Sequence, residues 1–179
     1  MNHGTIVTYW GTESLQRWPE EAMRDVALPA SSKAFLTGVG LPVPKRMIWV
    51  WTLAWNEALG RLPGSSQIRL LGNNHSRPIL LDEGRHGCVL WGKTSGSEER
   101  YANASVEQFA ESLVEMDRFV QREDARIGDA SYDAGAQRRA VKDLRNRLRE
   151  IDVTAIDDSA SLWSNILVEM RAQIQSSTI

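Results

Sequence analysis

The sequence predicts an α+β domain: a small, mainly antiparallel sheet with flanking helices and a helical C-terminal third. Three observations predict it. The first third alternates turn signals with short helical periodicities. The middle holds short β-branched and aromatic runs parted by Gly, Asn, Asp and Ser clusters. The last third carries apolar residues at spacings of three and four. The length of 179 residues is that of one domain. Such a chain buries about 70% of the surface its unfolded form exposes, so folding needs neither disulfide nor metal. The expected organisation is one domain, 1–179, with C-terminal helices of about 135–175 packed on it.

Thr12 or Ser14 is positioned to cap a helix running to about Asp25, with Leu15, Trp18, Ala22 and Val26 on one face. Pro19 falls inside it and either splits off the first turn or starts the helix. Pro29 begins a second helix that aligns Phe35, Leu36 and Val39. The run Gly38-Val39-Gly40-Leu41-Pro42 stops it. Met47 to Leu53 reads as a strand covered on both faces, with Met47, Trp49, Trp51 and Leu53 on one side. Further strands are expected at Gln67–Leu71, Pro78–Leu81, Cys88–Trp91 and Arg100–Ala102. They are separated by Gly72-Asn73-Asn74, Asp82-Glu83-Gly84 and Gly92 to Gly96, which suggests an antiparallel meander.

Ser105 with Gln108 three residues on is a capping box. It opens a helix whose core stripe is Val106, Phe109, Ala110, Leu113, Val114, Met116 and Val120. A loop at about Gly128 to Gly135 follows. The next helix carries Ala140, Val141, Leu144, Leu148 and Ile151. After Asp157-Asp158-Ser159, a final helix places Leu162, Trp163, Ile166, Leu167, Met170 and Ile174 on one face.

Composition narrows the function classes. The formal net charge is −2, which disfavours a DNA-wrapping or membrane-surface protein. A single cysteine, Cys88, excludes an internal disulfide framework and fits a reducing compartment. The longest apolar-rich stretch, Met47 to Trp55, is about half the roughly 18 residues of a membrane span. The N-terminal residues do not read as a signal peptide. A soluble, cytoplasmic protein is expected.

No catalytic or metal constellation is expected. His75, His86, Cys88, Asp82 and Glu83 do not show a zinc-ligand spacing. Cys88 and His86, two apart on one strand, lack a third group to orient a nucleophile and its base. Gly38-Val39-Gly40 lacks the ending of a phosphate loop. No cofactor is expected either. Gln137 to Glu150 carries six cations against two carboxylates but no aromatic residue to stack on a base, so it reads as a solvated face rather than a nucleic-acid site.

The seven tryptophans are the suggestive feature. Large rings anchor cores and also dominate binding hot spots. Trp10, Trp18 and Trp163 read as core. Trp49 and Trp51 read as core anchors first, with an interface role as the second reading. Trp55, just before Asn56-Glu57, is the expected exposed ring. An apolar strand at a sheet edge must be paired or covered, so a homodimer through the Trp strand is an open expectation. Glu13, Glu20, Glu21, Asp82 and Glu83 are the acids that would meet a basic partner. The candidate partner-binding set is therefore Trp49, Trp51, Trp55, Glu57, Asp82 and Glu83.

Four stretches then carry a resemblance. They are Leu28-Pro29 into Phe35-Leu36-Thr37-Gly38-Val39-Gly40-Leu41-Pro42; Ile68 to Gly72 with Ile79 to Asp82; Val89-Leu90-Trp91 with Tyr101 to Phe109; and Leu144 to Asp152 with Leu162 to Met170. The most specific are the Asn-x-Ser-Val-x-x-Phe junction at Asn103 and the closing Ile-Asp to Trp-x-x-x-Leu-x-x-Met pattern, Ile151-Asp152 to Met170. In this order the chain resembles the SUKH superfamily of bacterial immunity proteins, fourth subgroup, of actinobacterial type. The resemblance implies a non-catalytic protein that neutralises a cognate toxin of a polymorphic toxin system by binding it. A regulatory or scaffold interaction module on the same fold is the alternative. Pro44-Lys45-Arg46, the Trp-rich strand and Asn56 to Ser66 depart from the pattern.

Overall fold

The computed structural model describes residues 3–43, 53–74, 77–92, 99–126 and 133–176. The described elements run α1 (His3–Trp10), β1 (Leu15–Gln16), α2 (Ala30–Gly38), β2 (Leu41–Pro42), β3 (Leu53–Trp55), β4 (Ile68–Asn74), β5 (Arg77–Asp82), β6 (Cys88–Trp91), β7 (Arg100–Asn103), α3 (Val106–Asp124), α4 (Ala134–Ile151), α5 (Thr154–Asp157) and α6 (Leu162–Ser176). This is an α+β fold with a helical C-terminal region. No helix among the described residues is long and apolar enough to cross a membrane.

β3 to β7 form one antiparallel meander in the order β3-β4-β5-β6-β7. The expected turn at Gly72-Asn73-Asn74 is instead the end of β4, paired with both β3 and β5. Gly72 serves close approach there: a Cβ would lie 2.5 Å from the Ala54 carbonyl oxygen and 2.6 Å from the Trp55 ring. Alternation along the strands gives the sheet two apolar faces. Leu71, Ile79, Leu81, Val89 and Ala102 join the main core under the helices. Ile68, Leu80, Cys88 and Leu90 form a second cluster with Leu62. The expected strand residues 47–52, with Trp49 and Trp51, lie outside the described residues. So do His75, Lys93 to Gly96 and most of the 128–135 loop.

The first third departs most from expectation. α1 precedes the expected first helix, and the stretch from Thr12 to Asp25 is not an α-helix. It holds two short 3₁₀ turns around β1, which pairs with β2. Pro19 is the reason. It lacks an N–H and holds the preceding residue out of the helical region. Trp18 instead donates its backbone N–H to the Leu36 carbonyl at 3.1 Å. α2 begins after Pro29 and stops where expected, since Val39 and Gly40 both donate to the Phe35 carbonyl and Gly40 takes φ +88°.

α3 is the central helix, with 11 of its 19 residues buried. Its buried polar side chains each reach a different neighbour. Glu107 accepts from the Ser32 hydroxyl on α2. Ser112 accepts from the Asn103 amide on β7. Asp117 accepts from the Tyr9 hydroxyl on α1 at 2.6 Å. The Ser105 side chain caps α3 by accepting from the Gln108 N–H, as the capping box requires. The Gln108 side chain does not reach back; it donates to the Ile151 carbonyl on α4 at 2.9 Å.

Asp152 joins the C-terminal helices to the sheet. It is 7% exposed and follows α4 directly. One carboxylate oxygen accepts from the Tyr101 hydroxyl at 2.8 Å, the Ala104 N–H at 2.9 Å and the Asn103 amide at 3.4 Å. The other accepts from the Thr154 and Ala155 N–H groups, which start α5. Asn103 Oδ1 in turn accepts from the Trp163 indole N–H at 2.8 Å. The Trp163 ring packs on Phe109, and Phe109 packs edge-on against Trp55. A polar chain and an aromatic chain therefore cross the core together.

Asp152→Ala orphans five donors, so urea unfolding should show a loss of about 3 kcal/mol or more. Trp163→Phe, which unpairs the Asn103 oxygen and leaves a cavity beside Phe109, should lose about 2–4 kcal/mol.

Burial, and then the hydrogen bond to Asp152, push the Tyr101 hydroxyl above its ordinary range. The unfolded chain loses that proton first. The stability drawn from the neutral phenol is complete below about pH 10 and falls as pH rises above it. The stability difference between wild type and Tyr101→Phe should therefore be flat from neutral pH to about 10 and shrink above that.

Candidate functional site

The described members of the sequence-selected set do not converge on one surface. Trp55, expected to be exposed, is 8% exposed. Its indole N–H donates to the Pro42 carbonyl at 2.7 Å, and its ring lies against Phe109. The polar residues after it misled the reading, because β3 ends with Trp55 turned toward the core. Trp49 and Trp51 lie outside the described residues. Glu57 is exposed. It stands on a loop held by Asn56, whose N–H and side-chain amide donate to the Leu71 and Leu70 carbonyls.

Asp82 and Glu83 are committed inside the molecule. Asp82 is 7% exposed and ends β5. It accepts from the N–H groups of Gly84 and Arg85 and pairs with the Arg85 guanidinium. Glu83 accepts from Arg69 at 2.9 Å and from the Ala27 N–H at 2.8 Å, with Arg61 at 3.4 Å. Arg69 is itself buried and also donates to the Leu59 carbonyl. Glu83, with Arg69, pins the segment before α2 to the sheet, while Asp82 caps the turn that follows β5. Glu13, Glu20 and Glu21 are exposed.

The candidate nucleophile is poorly served. His86 is not on a strand with Cys88; it is an exposed residue at φ 54°, and β6 begins at Cys88. Cys88 is buried, and that burial pushes its thiol above the ordinary range. A raised thiol supplies less thiolate, the reactive form. Among the described residues no three His, Cys, Asp or Glu side chains are grouped to hold a metal ion. Cys88 should react with a disulfide reagent at pH 8 at least about tenfold more slowly in the native protein than in denaturant.

A groove of about 780 Å³ lies between α1, α3 and α4. Its apolar lining residues are Ile6 and Val114, both buried, and the half-buried Ile151. Glu111 and Glu115, one turn apart, line it from α3. Asp143 and Glu150 line it from α4. Arg147 is the one cation among its described lining residues, 3.0 Å from Glu115. Gln108 also lines it, and the Gln108 Oε1 atom is buried with no hydrogen-bond partner among the described residues. An unpaired buried acceptor costs about 1–3 kcal/mol.

Sequence reasoning missed this groove because its walls come from three distant helices. One signal was present. On α4 the core stripe is Val141, Leu144 and Leu148. Helical spacing puts Arg138, Lys142, Arg145 and Arg149 along one flank, and Asp143, Arg147 and Glu150 along the other. The first flank is exposed and basic. The second faces the groove.

A family model described as SUKH-4 immunity protein matches residues 1–169. No curated protein and no solved structure matches the chain.

Proposed function

Because the chain belongs to the SUKH-4 immunity protein family, we propose that it neutralises a cognate toxin of a bacterial polymorphic toxin system by binding it directly and covering its active site. The observation that carries this reading is the extent of the family match, residues 1–169. The side-chain chemistry supports it. Glu83, Glu107, Asp117 and Asp152, carboxylates drawn inward, serve hydrogen bonds that hold elements together, and Asp82 caps the turn after β5. Burial raises the Cys88 thiol above its ordinary range, which leaves less of the reactive thiolate.

Occlusion asks for surface rather than reactivity. A stable interface removes about 800 Å² from water on each partner, with a few well-packed residues at its centre. The protein acts in this reading as a rigid cytoplasmic binder without catalysis of its own. Its partner is a protein, not nucleic acid or membrane.

Co-expression with the toxin domain encoded beside this chain tests the reading. The pair should co-purify, bind with a dissociation constant below about 1 μM, and restore growth to cells that the toxin alone arrests. A toxin domain that neither co-purifies nor loses its toxicity would contradict it.

A further inference from the structure

Three loops meet at the end of the sheet where β4 begins, β5 ends and β6 begins. They are residues 24–28 before α2, 56–67 between β3 and β4, and 83–87 between β5 and β6. Arg69 braces them from beneath. Its buried guanidinium donates to Glu83, to the Leu59 carbonyl and to the Asp25 carbonyl, one acceptor in each loop. Glu83 also accepts from the Ala27 N–H in the first loop. The middle loop is fixed further, because Leu62 donates to the Ile68 carbonyl and Leu70 to the Gly60 carbonyl. A connection as long as 56–67 is in general either functional or disordered, and this one is held in place. A buried ion pair gains little stability over apolar packing of the same volume. What the Arg69–Glu83 pair supplies is a fixed arrangement of exposed loops.

Two arginines stand half-exposed on this surface, each held by a carboxylate drawn inward. Arg85 donates through Nε to Asp82 at 2.5 Å, with side-chain exposures of 58% and 10%. Arg61 donates through Nη1 to the Ser66 carbonyl and to Glu83, with side-chain exposures of 48% for Arg61 and 5% for Glu83. These bonds use one edge of each guanidinium and leave another. Arg85 keeps its end-on pair, Nη1 and Nη2, and Arg61 keeps its side-on pair, Nε and Nη2, with no acceptor among the described residues. Two parallel N–H donors of this kind match the two oxygens of a carboxylate. Long side chains lose rotamer freedom on binding, and these two are already held. His86, next to Arg85, is exposed and is the one non-glycine residue at positive φ, 54°, among the described residues. Such backbone recurs at binding surfaces.

Across residues 24–28, 56–69 and 82–87 four arginines meet four carboxylates. A nucleic acid asks for a cationic excess, which this patch lacks. Oriented donor pairs in a patch of balanced charge ask instead for discrete carboxylates. We propose that this loop surface is where the cognate toxin docks, and that Arg61 and Arg85 each receive an Asp or Glu carboxylate from an acidic segment of it. The proposal rests on the toxin-binding reading and gives that reading its surface.

The test uses the full chain and the adjoining toxin domain inactivated by substitution. Truncating the two arginines leaves Asp82 with the Gly84 and Arg85 N–H groups, and Glu83 with Arg69 and Ala27, so neither carboxylate is orphaned; unchanged circular dichroism and melting temperature check this. Arg61→Ala with Arg85→Ala should weaken binding at least about thirtyfold, mainly through faster dissociation. Arg61→Lys with Arg85→Lys keeps the charge over Glu83 and Asp82 but loses the paired donors, and should stay at least about tenfold weaker than wild type. Arg138→Ala with Lys142→Ala, exposed cations on α4, should change affinity by less than about threefold.

Tight wild-type binding that both arginine pairs of variants leave unchanged would overturn the surface assignment and leave the toxin-binding reading standing. Full affinity in the lysine variant, or an equal loss in the α4 variant, would overturn recognition through the paired donors. No binding by the wild type would overturn both readings. Arginine variants that alter the oligomeric state in sedimentation while leaving toxin affinity unchanged would assign the surface to a second copy of this chain instead.

Discussion

Asp152 sits where β7, α3, α4 and α5 meet, and its carboxylate accepts hydrogen bonds from five donors: two on β7, one in the connection from β7 to α3 and two on α5. A buried charge is tolerated only when its hydrogen-bonding capacity is used. The two oxygens of Asp152 meet that demand only if β7 leads into α3, and α4 turns into α5, at this one place. Asn103 passes the constraint on, linking Asp152 to Ser112 on α3 and to the Trp163 indole on α6. Hydrophobic burial supplies most of the driving force, as in any domain of this size. It is non-directional, and the polar chain is what selects one arrangement of α4, α5 and α6 over others that bury the same rings.

The same logic recurs at smaller scale. Arg69 and Glu83 hold the segment before α2 on the sheet, and Tyr9 with Asp117 holds α1 on α3. The groove follows from these anchors. Its lining residue Ile6 is placed by α1, and its rims by α3 and α4. Of the residues that carry the most specific family pattern, Ser105 and Ile151 are half-buried, and Asn103, Val106, Phe109, Asp152, Trp163, Leu167 and Met170 are buried. The buried ones shape the scaffold and cannot touch a partner. Partner choice rests mainly on exposed positions, which the pattern does not specify.

The meander and the last three long helices were legible because each has a strong local signal: short apolar runs between turn residues in β5 and β6, and stripes such as Val141, Leu144 and Leu148 on α4. Non-local terms decided the rest. Pro19 broke a helical periodicity that Leu15, Trp18 and Ala22 had suggested, and Trp18 found its partner on α2. Asp82-Glu83 has the composition of a solvated turn, yet the Glu83 side chain is buried because Arg69 and Ala27, 14 and 56 residues away in sequence, supply its donors. Trp55 went inward because Phe109 and the Pro42 carbonyl await it there. Of the candidate groove, only the division of charge on α4 was present in the sequence. Its other walls, Ile6 and Glu111 among them, arrive from elsewhere.

Native-state hydrogen exchange at the Ala104 amide and the Trp163 indole tests the central claim most directly. Both donors bind the Asn103–Asp152 chain, and if that chain is the constraint on which the helical layer depends, neither opens without global unfolding. The account predicts that both exchange in the slowest class, with an opening free energy equal to that of denaturant unfolding. Exchange of either through a local opening of low free energy, while the strands β5 and β6 stay protected, would contradict it.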